Sequence, residues 1–379
     1  MCGFIFALNK FKKIKKNDFI NSASLIKHRG PDDTQYFFND QISVVFHRLS
    51  IRDRSNKGRQ PFFSSSNRYI LTFNGEIYNI GELKKKLKKK RFNGNSDTEV
   101  LTQCFEEFGL KAVNYLQGMF SIIIYDFKKK KLYGFRDRLG IKPLYYLDND
   151  DNTIFCSEIK PLLNYVKEKK IDNDVVSDFF FKGFLSHGEK TFFKEINSVC
   201  PGNIIEVSKS IKKKSFYNLV KKEISSISDY EINNLVKNSV KSHLISDRKI
   251  GLFLSGGTDS TILSFLTKDI KNNFDVFTYD FQNYNHGESA KSKKIANDLN
   301  LNFNKIVIKP QDVQNNFDNL IKKIESPITS IRLFGVDSLY KLAKKKNIKF
   351  LTIKNCDHNT APRLKKDKKL KNLIDNFLD

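Results

Sequence analysis

The chain has 379 residues and a formal net charge of +25, from 67 Lys and Arg against 42 Asp and Glu. That length exceeds what one core usually accommodates and predicts two domains. No apolar run approaches a bilayer span, and FIFAL followed by KFKKIKK reverses the charge order of a signal peptide, so neither a membrane partner nor export is expected. Cys2, Cys104, Cys156, Cys200 and Cys356 show no CxxC or zinc spacing, which predicts reduced thiols in a cytoplasmic protein. The excess Lys lies in runs such as KKKLKKKR, spread along the chain and not interleaved with aromatics, so nucleic acid is not an expected partner.

From the N-terminus, short apolar runs alternate with turn residues: GFIFAL, ISVVFHRLSI, YILTFNGEIYN, FSIIIYD, KLYGFRD, PLYYLD, TIFCSE and NIIEVS. Their length and their β-branched and aromatic content predict strands of packed sheets. Between them IGELKKKLKKKR and DTEVLTQCFEEFG carry apolar residues at helical spacing. The first domain, residues 2–215, is therefore expected to be α+β with stacked sheets. SKSIKKKSFYNLVKKEISSISD reads as a connection. In the second domain, 225–379, EINNLVKNSVKSHL, KIGLFLSGG, STILSFLTK, FDVFTYDF, SAKSKKIANDLNL and NKIVI alternate helix with strand, the pattern of a parallel α/β sheet.

The opening MCGF places a thiol directly behind the initiator methionine. If Met1 is trimmed, Cys2 carries its own base, because an α-amine titrates near 7.7–8.0 and a thiol near 8.5. Taken alone, CGFIF could equally open a buried strand. The motifs RGPDD (29–33), HRLSI (47–51), QPF (60–62), NGEIYN (74–79), SDTEV (96–100) and RDRLGIKPLYY (136–146) follow in order. Together they resemble the N-terminal-nucleophile glutaminase domain of class II amidotransferases, in particular that of glutamine-hydrolysing asparagine synthetases. The resemblance implies that Cys2 is the nucleophile and that Asn74 and Gly75 form the oxyanion hole. It further implies that Arg48, Leu49, Asn74, Gly75, Glu76 and Asp97 bind glutamine, with Arg48 on its carboxylate and Asp97 on its ammonium. Without the resemblance, Arg48 could be a surface arginine and Asp97 a helix cap. His28 and His47 are expected to be structural.

KIGLFLSGGTDST (249–261) runs a strand through two glycines into a helix, a geometry that converges backbone N–H groups on an anion. It lacks the Lys of a Walker A loop. SGGTDS resembles the pyrophosphate loop of ATP pyrophosphatases, and its place after a glutaminase half resembles the synthetase half of asparagine synthetases. This implies that Leu254, Ser255, Gly256, Gly257, Thr258, Asp259, Ser260 and Tyr279 bind ATP, and that Asp259 and Asp357 bind Mg²⁺. FTYDF, HGES and ESPI continue the match. At 352–359, TIKNCDHN then stands where the family has a glycine-rich SG-x-G-x-DE turn, so the domain is expected to be shortened and degenerate after about 350. The implied reaction is ATP-dependent amidation of aspartate with ammonia from glutamine. The alternatives are an amidotransferase acting on another carboxylate, such as a sugar acid, and a glutaminase-like protein whose second half is a binding module. The expected macromolecular partner is a second copy or a chain supplying a C-terminal region.

Overall fold

The apolar run that opens the chain forms β1 (Gly3–Asn9), with Phe4 to Ala7 fully buried. In a computed structural model describing residues 1–183, 188–218, 227–283, 288–328, 330–346 and 348, the chain separates into two compact units, Met1–Val220 and Lys221–Asp379. After β1 the first unit continues with α1 (Lys16–Ser24), β2 (Asp33–Phe38), β3 (Ile42–Arg48), β4 (Phe62–Phe63), β5 (Tyr69–Ile77), α2 (Ile80–Lys86) and α3 (Asp97–Phe108). Then come β6 (Gly118–Asp126), β7 (Lys131–Arg136), β8 (Tyr145–Asp148), β9 (Asn152–Cys156), α4 (Asn173–Lys182), β10 (Ile196–Ser198), β11 (Asn203–Val207) and β12 (Ile211–Ser215).

These strands make two six-stranded antiparallel sheets, ordered β10-β8-β9-β1-β3-β2 and β12-β11-β7-β6-β5-β4. Successive side chains point to opposite faces, so a strand buried on both sides reads as a continuous apolar run. On β1, Phe4 and Phe6 face the second sheet and meet Ile70, Ile123 and Tyr125, while Ile5 and Ala7 face α1 and meet Phe19 and Ala23. On the far side Leu71, Phe73, Ile122 and Ile124 pack on Val100, Leu101, Cys104 and Phe105 of α3. The layer order is helix, sheet, sheet, helix.

Two local expectations differ from the structure. The helix expected over 80–91 ends at Lys86, and Leu87 is extended. Four-residue spacing in the Lys run sets like charges together, and the Glu107 carboxylate draws the N–H groups of Lys88 and Lys89 out at 2.8 and 3.3 Å. The stretch taken as connection begins instead with β12, whose Lys212 to Lys214 are exposed on the sheet edge, where charged side chains discourage further pairing.

In the second unit α5 (Asp229–His243) opens with a capping box between Ser228 and Glu231. There follow β13 (Gly251–Phe253), α6 (Thr258–Ile270), β14 (Asp275–Phe281), α7 (Glu288–Asp298), β15 (Asn302–Ile308), α8 (Pro310–Ile324) and α9 (Arg332–Lys345). The sheet β13-β14-β15 is parallel. Val276 packs against Ala296 of α7 and Phe277 against Leu339 and Ala343 of α9, so helices cover both faces.

The inter-sheet core predicts a sharp contrast between two Phe→Ala changes. Phe155 is fully buried and Phe181 is 89% exposed. Phe155→Ala should cost about 3–5 kcal/mol and Phe181→Ala less than about 0.5 kcal/mol, measured by urea unfolding followed by circular dichroism. Equal losses would contradict the layer assignment.

Candidate active site

Cys2 sits one residue before β1, and the pairing of Gly3 with His47 lays it beside the end of β3. There the Leu49 N–H donates to the Cys2 Sγ at 3.4 Å, and the thiol faces the Leu49 carbonyl at 3.7 Å. Arg29 fixes the backbone: its Nε donates to the Cys2 carbonyl at 3.0 Å and its Nη1 to Glu158 Oε1 at 2.8 Å. Glu158 also receives His28 at 3.1 Å and Lys160 at 2.6 Å. Burial would raise its carboxyl pKa, yet the His28 hydrogen bond and the Arg29 and Lys160 charges hold it well below the usual carboxylate range. Glu158 is thus an ionised anchor for Arg29, and through it for the backbone of Cys2.

The second sheet brings Asn74, Gly75 and Glu76, at the end of β5 opposite Ser121, Phe120 and Met119. Asn74 is buried, and its side-chain Nδ2 has no hydrogen-bond partner. Gly75 packs so closely that an added Cβ would overlap the Met119 carbonyl oxygen. Burial, and then the charge of Asp97, push Glu76 up to about 7, while Arg52, Lys142 and the chain's α-amine pull the other way. That α-amine acts on Glu76 from the end of the chain that carries Cys2.

Asp97 opens α3, where Ser96 rather than Asp97 is the capping residue, its hydroxyl accepting from the Thr98 N–H at 3.2 Å. The Asp97 Oδ2 accepts from the Ile77 N–H at 3.4 Å, and burial raises its pKa. Arg48 is buried and turned to the following loop, donating through Nη1 to the Ser55 carbonyl at 2.8 Å and through Nη2 to the Asp53 carbonyl. His47 is buried between the Ala23 carbonyl and the Thr34 hydroxyl, both at 2.9 Å, and burial lowers its pKa. It is a satisfied neutral residue, and His28 belongs to the Glu158 anchor.

Two cations at this site were not singled out from the sequence. Arg52 forms an ion pair with Glu76 at 3.2 Å and lies 4.0 Å from Asp97. Lys142 is 4% exposed, and burial pushes its ammonium down to about 8 against the pull of Glu76. The buried Asp137 shapes its loop, accepting from the N–H groups of Phe120, Leu139, Ile141 and Lys142 at 3.2, 3.1, 2.9 and 2.9 Å. Lys142 lay inside RDRLGIKPLYY and Arg52 directly after HRLSI, so proximity to a motif was the available signal.

In the second unit Leu254 ends the strand, its N–H donating to the Phe277 carbonyl at 2.9 Å. Gly256 adopts φ +76°, and a Cβ there would crowd the Glu288 carbonyl and Lys291. Ser255 and Ser260 close the turn at 3.1 Å, Gly257 is the N-cap with no side chain to fill the position, and Thr258 and Asp259 begin α6. The N–H groups of that first turn remain open to an anion. Asp259 is the carboxylate at this turn, and Asp357 lies outside the described residues. No trio of His, Cys, Asp and Glu gathers into a metal site among the described residues. Tyr279 packs under Gly335 of α9.

A thiol at the second residue of a helix–sheet–sheet–helix sandwich, at the head of its central strand, fits the N-terminal-nucleophile class of amidotransferase domain; the parallel unit with its SGGTDS turn has the ATP-pyrophosphatase form. Residues 1–218 match the glutamine amidotransferase domain family and residues 231–351 the asparagine synthase family. The chain belongs to the asparagine synthase family of glutamine amidotransferases. It is 31% identical over 356 residues to asparagine synthetase [glutamine-hydrolyzing] 1 of Bacillus subtilis, covering 91% of this chain and 56% of the relative. Asparagine synthetase [glutamine-hydrolyzing] 2 of the same organism is 35% identical over 74% of this chain and 40% of its own length. The amidase chyE of Penicillium rubens is 26% identical over 83% of this chain and 50% of its own length. The chain thus spans about half the length of the curated relatives it matches.

The raised pKa of Glu76 predicts a pH-dependent difference between Glu76→Gln and wild type. A carboxyl whose folded pKa lies above its unfolded value holds extra protons in the native state between about 4.5 and about 7, so stability falls as pH rises through that window. Stability of the variant relative to wild type should therefore increase from pH 5 to pH 8, read as thermal midpoints. A constant difference would show that Glu76 titrates normally.

Proposed function

We propose that the first unit hydrolyses the side-chain amide of glutamine at Cys2, and that the ammonia released amidates a carboxylate activated by ATP in the second unit. The observation that carries this reading is the unpartnered Nδ2 of buried Asn74. A buried donor without an acceptor costs about 1–3 kcal/mol, a cost that substrate binding would remove. With Met1 trimmed, the α-amine takes the Cys2 proton and the thiolate attacks the γ-carbonyl carbon. Asn74 Nδ2 and the Gly75 N–H donate to the developing oxyanion. Ammonia leaves, and water then cleaves the thioester to release glutamate. Arg48, already rigid through the 53–55 loop, would meet the α-carboxylate.

For the second unit, the uncapped first turn of α6 and the left-handed Gly256 fit a pyrophosphate, and Asp259 would hold the Mg²⁺ that accompanies ATP. The ion would offset phosphate charge. The acceptor we infer is aspartate, through β-aspartyl-AMP, giving asparagine, AMP and pyrophosphate. Similarity to an amidase alongside asparagine synthetases favours, as a second reading, an acceptor other than aspartate.

Cys2→Ala should abolish glutamate release while leaving ATP binding intact, and intact Met1 on a fully active chain, seen by mass spectrometry, would refute the terminal-amine base. Asn74→Ala should lower kcat by about 10²–10³ with little change in KM. Arg48→Ala should chiefly raise KM, by an amount equivalent to roughly 2–4 kcal/mol. If both variants changed only KM, the division of roles would be wrong. Asp259→Asn should weaken ATP binding in calorimetry. Aspartate-dependent AMP release separates asparagine synthesis from amidation of another acid.

A further inference from the structure

Asp97, which the resemblance sets against an α-ammonium, and the neighbouring Glu76 already share a resident cation. Arg52 lies between them, with Nε 3.2 Å from Glu76 Oε2 and Nη1 4.0 Å from Asp97 Oδ2. The Arg52, Glu76 and Asp97 side chains are 11%, 5% and 10% exposed, so solvent screens this cluster weakly. Nor is Arg52 a swinging side chain. Its Nη1 donates to the Ile77 carbonyl at 2.9 Å, while the N–H of the same Ile77 donates to Asp97 at 3.4 Å. One residue at the end of β5 therefore fixes both the cation and one of its anions.

The electrostatic balance points the same way. Arg52 and buried Lys142 set two cations against Glu76 and Asp97, and Glu76 is itself shifted toward its neutral form, so the group carries no surplus of negative charge before any substrate enters. A substrate ammonium entering it gains no net attraction and must share its carboxylates with a planar guanidinium, a strong competitor for carboxylate oxygens. The Nε and Nη2 of Arg52 are buried and make no hydrogen bond, so the guanidinium keeps donor capacity for an acceptor on the ligand.

We infer that Arg52 is a specificity-determining residue that relaxes the demand for an α-ammonium, so that this site takes the ω-amide of a dicarboxylic acid with or without an amino group. The inference rests on the glutaminase reading for the identity of the pocket. The substrate class it adds is the simple carbamoyl carboxylate, of which 4-carbamoylbutanoate is glutamine without its amine.

The test is calorimetric binding of glutamine and of 4-carbamoylbutanoate to the full chain carrying Cys2→Ala, which removes turnover from the readout. The two affinities should lie within about tenfold of each other, and adding Arg52→Leu should widen the ratio toward glutamine by about tenfold or more, whereas Arg52→Lys should leave it near the parent value. A parent preference above about tenfold, or a ratio that Arg52→Leu leaves unchanged or narrows, overturns the inference. Should Arg52→Leu fail to fold, Asp97→Asn in the parent decides: a change in the ratio below about threefold supports the assignment, and a larger loss of glutamine preference overturns it. Binding of both amides by a Cys2-bearing chain that releases no glutamate would overturn the glutaminase reading and leave the Arg52 assignment standing. Binding of neither overturns both.

Discussion

Antiparallel pairing of β1 between β9 and β3 is the constraint on which the first unit depends. A chain terminus ordinarily frays, but here the opening strand is the innermost element. Both its edges are paired and both its faces are covered, one by the second sheet and one by α1. The thiol inherits its position from that burial: Gly3 is locked in register with His47, and Cys2 can only lie beside Leu49. The opposite sheet contributes through β5, whose pairing with β6 sets Asn74 and Gly75, so the packing of the two sheets also decides where the candidate site residues lie.

The buried charges fall into two groups that behave oppositely for one reason, what lies directly against each carboxylate. Glu158 has Arg29, Lys160 and His28 directly upon it and stays ionised despite burial. Glu76 has Arg52 as its close ion pair and a second carboxylate nearby, and is driven toward its neutral form. Desolvation is common to both, and the partners decide the outcome. The first group is structural ballast behind Cys2. The second is poised, because a small change in local charge alters its protonation.

Much of this was legible in the amino-acid order. GFIFAL, FSIIIYD and TIFCSE read as strands because residues buried on both faces must be apolar throughout, and DTEVLTQCFEEF read as a helix because one face packs on a sheet. The short β2, β4 and β10 and the helices α1 and α4 were not legible. Their apolar content is low or interrupted, and they are held by tertiary pairing. Arg52 was illegible for another reason. Nothing in IRDRS says that its side chain will reach a carbonyl at residue 77 and a carboxylate at residue 76, since that contact exists only after two sheets have come together. The assignments of Cys2, Asn74 and Asp97 rest on motif resemblance, which carries expectations that periodicity does not encode. TIKNCDHN, with Asp357, lies outside the described residues.

The loop that Arg48 grips has a kinetic meaning. Asp53 and Ser55 are tied to this one guanidinium by their carbonyls, while residues 54–57 are exposed. Next to them stand the backbone amides of β1 and β3, fully paired and buried. Amide hydrogen exchange should therefore change over a few residues, from protection near that of global unfolding at Val45 and Phe46 to rapid exchange at residues 54–57. Cys2 lies on that border, held by the protected strand on one side and next to the Arg48-bound loop on the other.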